Sequence, residues 1–249
     1  AEARTNLARQ GPQVLGRGDD LQALRRLLDE HALVTVAGAG GIGKTHLAQG
    51  AARERIGALP DGVWWVELTA IADPALVPAA VGHALGISFE GAGDATRAVL
   101  SELRGRSALV VLDSAEHLLD GVAAFVAAVR EGAPRVKLLV TSQELLHAVD
   151  EHVFRLGPLS LPASDEPAAA SASGAVTLFV ERARAVDSRF ALTAENRAAV
   201  IDICRQLDGI PLAIELAAAR LPLLGVEGLR ARLHERFKVL TGGARAGLR

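Results

Sequence analysis

The sequence predicts an α/β fold: a doubly wound parallel sheet followed by a small all-helical subdomain. Three observations carry that expectation. Short apolar runs alternate with helical patterns through the first part of the chain, as strands joined by crossover helices do. A glycine-rich octapeptide stands between the first such run and the helical pattern after it. Past residue 170 only helical periodicity remains.

The elements follow in order. Gly18-Asp19-Asp20-Leu21-Gln22 opens a helix, with Asp19 as its cap, Gln22 three residues on, and Leu21, Leu24, Leu27 and Leu28 as its apolar face. Leu33–Ala37 reads as a buried strand broken by the glycine cluster. Residues 44–55 are helical, with Leu47, Ala48, Ala51 and Ala52 on one side. A second strand spans 62–68 and a helical stretch 74–85. Residues 108–112 form a third strand, continuously apolar as a parallel sheet covered on both faces requires. A helix around 122–129, a fourth strand at 136–140 and a fifth at 151–156 complete the sheet. Residues 157–175, rich in Pro, Ser and Ala, read as a surface linker. Helices are then expected at 176–186, 194–207, 211–221 and 226–237, with Pro211 in a first turn where a missing N–H is no loss. The expected organisation is an α/β domain over 1–160, a linker over 161–172 and a helical subdomain over 173–249, with the boundary near residue 170.

Composition bounds the function. Of 249 residues, 50% are apolar and 22% charged, which suits a packed globular core and excludes collagen-like, disordered and disulfide-framework chains. Basic residues number 27 against 29 acidic, so the chain lacks the basic field that non-specific nucleic-acid binding needs. No apolar run approaches the roughly 20 residues of a membrane span. Ala1-Glu2-Ala3-Arg4 begins no hydrophobic signal core. The single cysteine, Cys204, cannot form an internal bridge, which points to a reducing cytoplasm. The absence of methionine, even at position 1, suggests a piece of a larger protein. Among basic residues the lysines are only Lys44, Lys137 and Lys238, which hints that Lys44 sits where arginine would not serve.

Gly38-Ala39-Gly40-Gly41-Ile42-Gly43-Lys44-Thr45 fits G-x-x-x-x-G-K-[ST], the phosphate-binding loop, and His46 follows it. Backbone N–H groups must converge on a phosphate in conformations that side chains obstruct, so glycines are used. The following helix presents its positive end to the same anion. Lys44 supplies a mobile ammonium to the β- and γ-phosphates, and the Thr45 hydroxyl can bind Mg²⁺. Gly38, Gly40 and Gly43 also spell the dinucleotide fingerprint G-x-G-x-x-G. Against it, Lys-Thr has no role there, and Glu67 lies well beyond the ~20-residue spacing of the ribose acid. A purely structural glycine turn is the remaining alternative.

Leu109-Val110-Val111-Leu112-Asp113 ends an apolar strand in a carboxylate at the sheet edge where ligands bind in such folds. Asp113 can hold Mg²⁺ or its waters beside Thr45, or it can be only a turn former. Glu116 is the candidate to polarise an attacking water, with a solvated carboxylate at a helix start as the equal alternative. His117 reads as a packing or surface histidine. The histidines show no metal-ligand spacing with Cys204 or a carboxylate pair, so no zinc site is expected.

These residues resemble the signal-transduction ATPases with numerous domains, specifically the NB-ARC-like branch of bacterial transcriptional regulators. The resemblance rests on Val14-Leu15-Gly16-Arg17, the phosphate loop, Leu112-Asp113-Ser114-Ala115-Glu116-His117-Leu118, Val140-Thr141-Ser142 and Leu207-Asp208-Gly209-Ile210-Pro211-Leu212-Ala213. It implies an ADP/ATP switch with Mg²⁺, in which Leu15, Arg17 and Pro211 meet the base and residues 38–46 the phosphates. ADP would lock a closed form, and ATP would permit opening and oligomerisation. Such relatives commonly carry Thr-Ser-Arg or Thr-Thr-Arg after the fourth strand, the arginine reading the γ-phosphate. Here Gln143 holds that position, and Ser114 stands where many relatives have an acid or Asn. Weaker ATP-over-ADP discrimination and slow or absent hydrolysis follow as expectations. The resemblance also implies a winged-helix subdomain beyond Arg249, with DNA-binding and sensor-repeat domains as further partners in the full-length protein. No membrane and no direct nucleic-acid contact are expected of this piece.

Three functions compete. The first is the nucleotide-dependent switch module of a regulatory ATPase. The second is a scaffold in which bound ADP or ATP stabilises the fold without chemistry. The third is a small-molecule kinase, for which Arg104 and Arg106 are the only candidate closing arginines and more plausibly solvated loop charges.

Overall fold

The structure, a computed structural model, describes residues 4–8, 10–11, 13–88 and 94–242, with side chains as far as residue 235. Residues 1–3, the side chain of Phe237 and residues 243–249 of the expected helical subdomain lie outside the described residues. Two compact units divide the chain. The first comprises Ala1–Val14 and Gly18–Leu156, the second Leu15–Arg17 and Gly157–Arg249.

In the first unit, five strands form one all-parallel sheet: β1 (Leu33–Ala37), β2 (Val63–Glu67), β3 (Leu109–Asp113), β4 (Lys137–Ser142) and β5 (His152–Arg155), in the order β2-β3-β4-β1-β5. Alternation along each strand feeds two cores. Val110, Leu112, Leu138 and Val140 face one side, covered by α3 (Val77–Ala84), α4 (Ala95–Leu103) and α5 (Leu119–Gly132). Val34, Val36, Leu109, Val111 and Leu139 face the other, covered by α1 (Gly18–Glu30) and α2 (Lys44–Glu54). Strand β1 leads to α2 on one face, while the chain after its neighbour β4 places Leu146 in the opposite core. Adjacent strands that send the chain to opposite faces open a crevice at their carboxyl ends.

The α/β expectation is met, strand for strand. Several details differ. Helix α1 begins at Gly18, so Asp19 lies inside its first turn with Asp20 and complements the helix dipole instead of capping. Helix α4, capped by Asp94 accepting from the Arg97 N–H, was not expected. The stretch 74–85 opens as a 3₁₀ turn, Pro74–Leu76, before α3. The expected linker 161–172 contains α6 (Pro167–Ala172), and Ala170 within it is fully buried. An alanine-rich helix buries methyl groups, which leaves too weak a hydrophobic signal to read as periodicity. The compact units divide between Leu156 and Gly157.

The second unit is helical: α6, α7 (Gly174–Val186), α8 (Ala194–Gln206), α9 (Pro211–Ala218) and α10 (Leu221–Gly242), the last interrupted at Gly225. Phe179, Val200, Ile201, Ile203, Cys204 and Ile214 form its core, with Leu15 packed against it. No helix among the described residues is long and apolar enough to cross a membrane.

Candidate functional site

The glycine loop leaves β1 at the crevice. Gly38 is required by the protein's own packing, since a Cβ there would lie 2.7 Å from the Leu156 carbonyl oxygen. Gly41 (φ 71°) and Gly43 (φ 97°) occupy the left-handed region, and Gly43 is the residue preceding α2. Gly40 is different. A Cβ there meets nothing closer than the Gln143 side-chain amide at 3.9 Å, so protein packing does not demand this glycine. A close-approaching phosphate would, and the loop therefore fits a polyphosphate.

Lys44 is 9% exposed, and its Nζ donates to the carbonyls of Gly38 (2.8 Å) and Ala39 (3.0 Å). Burial lowers its pKa, and the nearby Glu116 and Asp113 carboxylates oppose that shift. Ile42 buries its side chain in the α1–α2 core, so what it can offer a ligand is backbone. His46 points outward, exposed on the first turn of α2.

Asp113, at the end of β3, is 4% exposed. It accepts from Thr45 Oγ1 (2.9 and 3.2 Å to its two oxygens) and from Thr141 Oγ1 (2.6 Å). Burial raises its pKa; the hydrogen bonds from Thr141 and Thr45 counter that, while Glu67 and Glu116 add to it. A hydroxyl beside a buried carboxylate is a hard oxygen donor set, the kind Mg²⁺ takes alongside phosphate oxygens and waters.

The chain then turns through Ser114 at φ 62°, a conformation uncommon for a residue other than glycine. Thr141 secures that turn: its Oγ1 accepts the Ser114 N–H at 2.9 Å and its carbonyl accepts the Ala115 N–H at 2.9 Å. The turn delivers Glu116, whose Oε1 accepts from Gln143 Nε2 at 3.2 Å. His117 is exposed, with Nε2 2.8 Å from the Ile71 carbonyl oxygen, in keeping with a surface contact. Arg106 pairs with Glu102 on α4.

Lys44, Thr45, Asp113, Glu116 and Gln143 thus converge on one sheet edge in the first unit. Thr141, which the sequence offered only as part of a motif, joins them as the residue that holds Asp113. Leu15, Arg17 and Pro211 belong to the second unit. Arg17 is 5% exposed and donates to the Gly157 carbonyl at 2.8 Å. Pro211 takes the first turn of α9, after Asp208 (φ 51°) and Gly209 (φ 65°).

A parallel sheet ordered in this way, with a G-x-x-x-x-G-K-T loop after β1 and an acid at the end of β3, defines the P-loop NTPase fold. Solved structures of low sequence identity share it. A signal-transduction ATPase with numerous domains carrying a tetratricopeptide repeat sensor, from Pyrococcus horikoshii, matches with a TM-score of 0.53 and 17% identity over 84% of this chain and 31% of that one. The Aeropyrum pernix ORC2 protein matches with a TM-score of 0.57 and 14% identity over 92% and 70%. No protein-family model matches the chain. Among curated proteins, an uncharacterised Mycobacterium tuberculosis protein is 36% identical over 230 residues, 92% of this chain and 56% of its own length. A second protein of that organism, named as a candidate HTH-type transcriptional regulator, is 36% identical over 90% of this chain and 24% of its own. The regulatory protein AfsR of Streptomyces coelicolor is 33% identical over 76% and 18%. The chain therefore spans about half the length of the first of these relatives and less of the others.

Proposed function

We propose that this chain is the nucleotide-binding module of a regulatory ATPase, an ADP/ATP-dependent switch within a transcriptional regulator. The observation that carries the reading is the Thr45–Asp113 pair, a hydroxyl of the phosphate loop held against a buried carboxylate at 2.9 Å. Residues 38–46 receive the phosphates, with Lys44 turning its ammonium from the loop carbonyls to the ligand. Thr45 and Asp113 hold Mg²⁺, which when bound neutralises charge on the phosphate oxygens. Glu116 orients the attacking water. Leu15, Arg17 and Pro211 receive the base, the role the resemblance gives them. Gln143, neutral where an arginine is usual, gives slow turnover and a modest preference between ATP and ADP. The names of the relatives, regulators longer than this chain, support placing the module beside DNA-binding and sensor domains in the cytoplasm, with assembly governed by nucleotide in the full-length protein.

Calorimetry with ATP and ADP in the presence of Mg²⁺, on the parent and on Lys44→Ala, tests the reading. Absent binding, or binding unchanged by the substitution, overturns it. Single-turnover ATP hydrolysis with Asp113→Asn and Glu116→Gln separates a hydrolysing switch from a scaffold that only holds nucleotide. Nucleotide released on denaturing the purified, dialysed protein identifies the resident form, and ADP supports a locked switch.

A further inference from the structure

The resemblance casts the residue after Thr141-Ser142 as a direct reader of the terminal phosphate. The side chain in this protein is engaged elsewhere. Gln143 Nε2 donates to Glu116 Oε1 at 3.2 Å, across 27 residues of sequence. Glu116 Oε2 is buried and has no hydrogen-bond partner among the described residues. Buried acceptors are rarely left alone, so an unpaired carboxylate oxygen at a ligand site marks an atom kept for another partner. The Gln143 amide also stands 3.9 Å from where a Cβ on Gly40 would be, at the open side of the phosphate loop.

We propose that Gln143 is a positioning residue for Glu116: its amide fixes Oε1 and leaves Oε2 as the acceptor that orients the attacking water. The end of β4 then serves both acids of the site. Thr141 lies near the end of β4, and Gln143 follows directly where the chain bends away from the strand. The first donates to Asp113 and the second to Glu116. Ser114, in its left-handed turn, brings Glu116 round to meet that edge. Glutamine suits the task because its amide can donate one hydrogen bond and adds no charge. An arginine there could claim both carboxylate oxygens at once.

This inference rests on the ATPase reading, and its test keeps the two apart. In nucleotide-free, ¹⁵N-labelled protein, the Gln143 side-chain amide resonances are identified by their loss in Gln143→Leu. They are expected to move in Glu116→Ala; unmoved resonances overturn the pairing. In single turnover, Gln143→Leu is expected to slow hydrolysis about tenfold or more while ATP and ADP affinities stay within about twofold. Gln143→Glu, which sets a like charge beside Glu116, is expected to slow it further. In a Glu116→Gln background, Gln143→Leu is expected to change the rate by no more than about twofold, because the two side chains act as one unit. Additive losses, or a selective loss of ATP affinity, overturn the positioning role. A parent protein that binds ATP but never turns it over defeats the ATPase reading, and the amide resonances then decide the pairing alone.

Discussion

Thr141 Oγ1 donates to Asp113 Oδ1 at 2.6 Å and accepts the Ser114 N–H at 2.9 Å, so one hydroxyl holds both the acid and the strained turn that follows it. Thr141 is fully buried. Thr141→Val keeps the shape but strips Asp113 of one of its two donors and orphans the Ser114 N–H. Urea denaturation is expected to register a loss of about 2–3 kcal/mol. Thr141→Ser keeps the hydroxyl and should lose only about 1 kcal/mol, the worth of one methyl group. Equal losses in the two variants would mean that the hydroxyl contributes nothing.

Lys44 Nζ sits over two loop carbonyls in a position with little room. Lys44→Ala is expected to weaken ATP and ADP binding between about tenfold and a hundredfold, the range for losing a charge-assisted hydrogen bond. Lys44→Arg keeps the charge but replaces a compact ammonium by a planar fork. It should recover less than half of the lost binding free energy by calorimetry. Full recovery would show that charge alone matters here.

Most of this site was legible because its signals are local. The phosphate loop spells its chemistry in consecutive residues, and Asp113 closes an unbroken apolar strand. What escaped was non-local or faint. Gln143 and Glu116 meet only because β3 and β4 are neighbours in the sheet, and no spacing rule pairs them. Thr141 reaches Asp113 for the same reason. Helix α4 carries Val99 and Leu103 at helical spacing and was readable in principle, whereas α6 buries little more than Ala170. Arg17 was legible only through the resemblance, as a residue near the base, and nothing in the sequence tells that Gly157 lies against it.

Gly209 stands where the Gly-x-Pro pattern has a packing cause as well as any ligand role. Its φ is 65°, its carbonyl accepts the Leu159 N–H at 2.9 Å, and a Cβ would lie 2.5 Å from the Leu159 carbonyl oxygen. Gly209→Ala is expected to lower stability by about 1–3 kcal/mol through backbone strain and that clash. Thermal or urea unfolding measures it. Gly225, also at positive φ (63°), has nothing within 4 Å, so Gly225→Ala should lose less, conformational strain alone. A larger loss at Gly225 would refute the packing argument.

Cys204 offers a probe of the helical unit and a test of its core. The side chain is fully buried on α8, and burial pushes the thiol pKa up to about 12 from a reference near 9.0. Native protein should therefore resist thiol reagents at neutral pH and become reactive with the unfolding transition. The pH dependence has a definite sign. Below pH 9 the thiol is protonated in both states and contributes no slope. Between about 9 and 12 the unfolded chain releases its proton while the folded chain retains it, so stability falls as pH rises. The slope reaches about 1.4 kcal/mol per pH unit at most. Cys204→Ala lacks this contribution, and groups that titrate in both proteins cancel in the comparison. The stability difference between the parent and Cys204→Ala should thus shift in the variant's favour as pH is raised from 8 to 10.5. A constant difference across that range would mean that the thiol is solvated in the native state and that α8 is not closed over it.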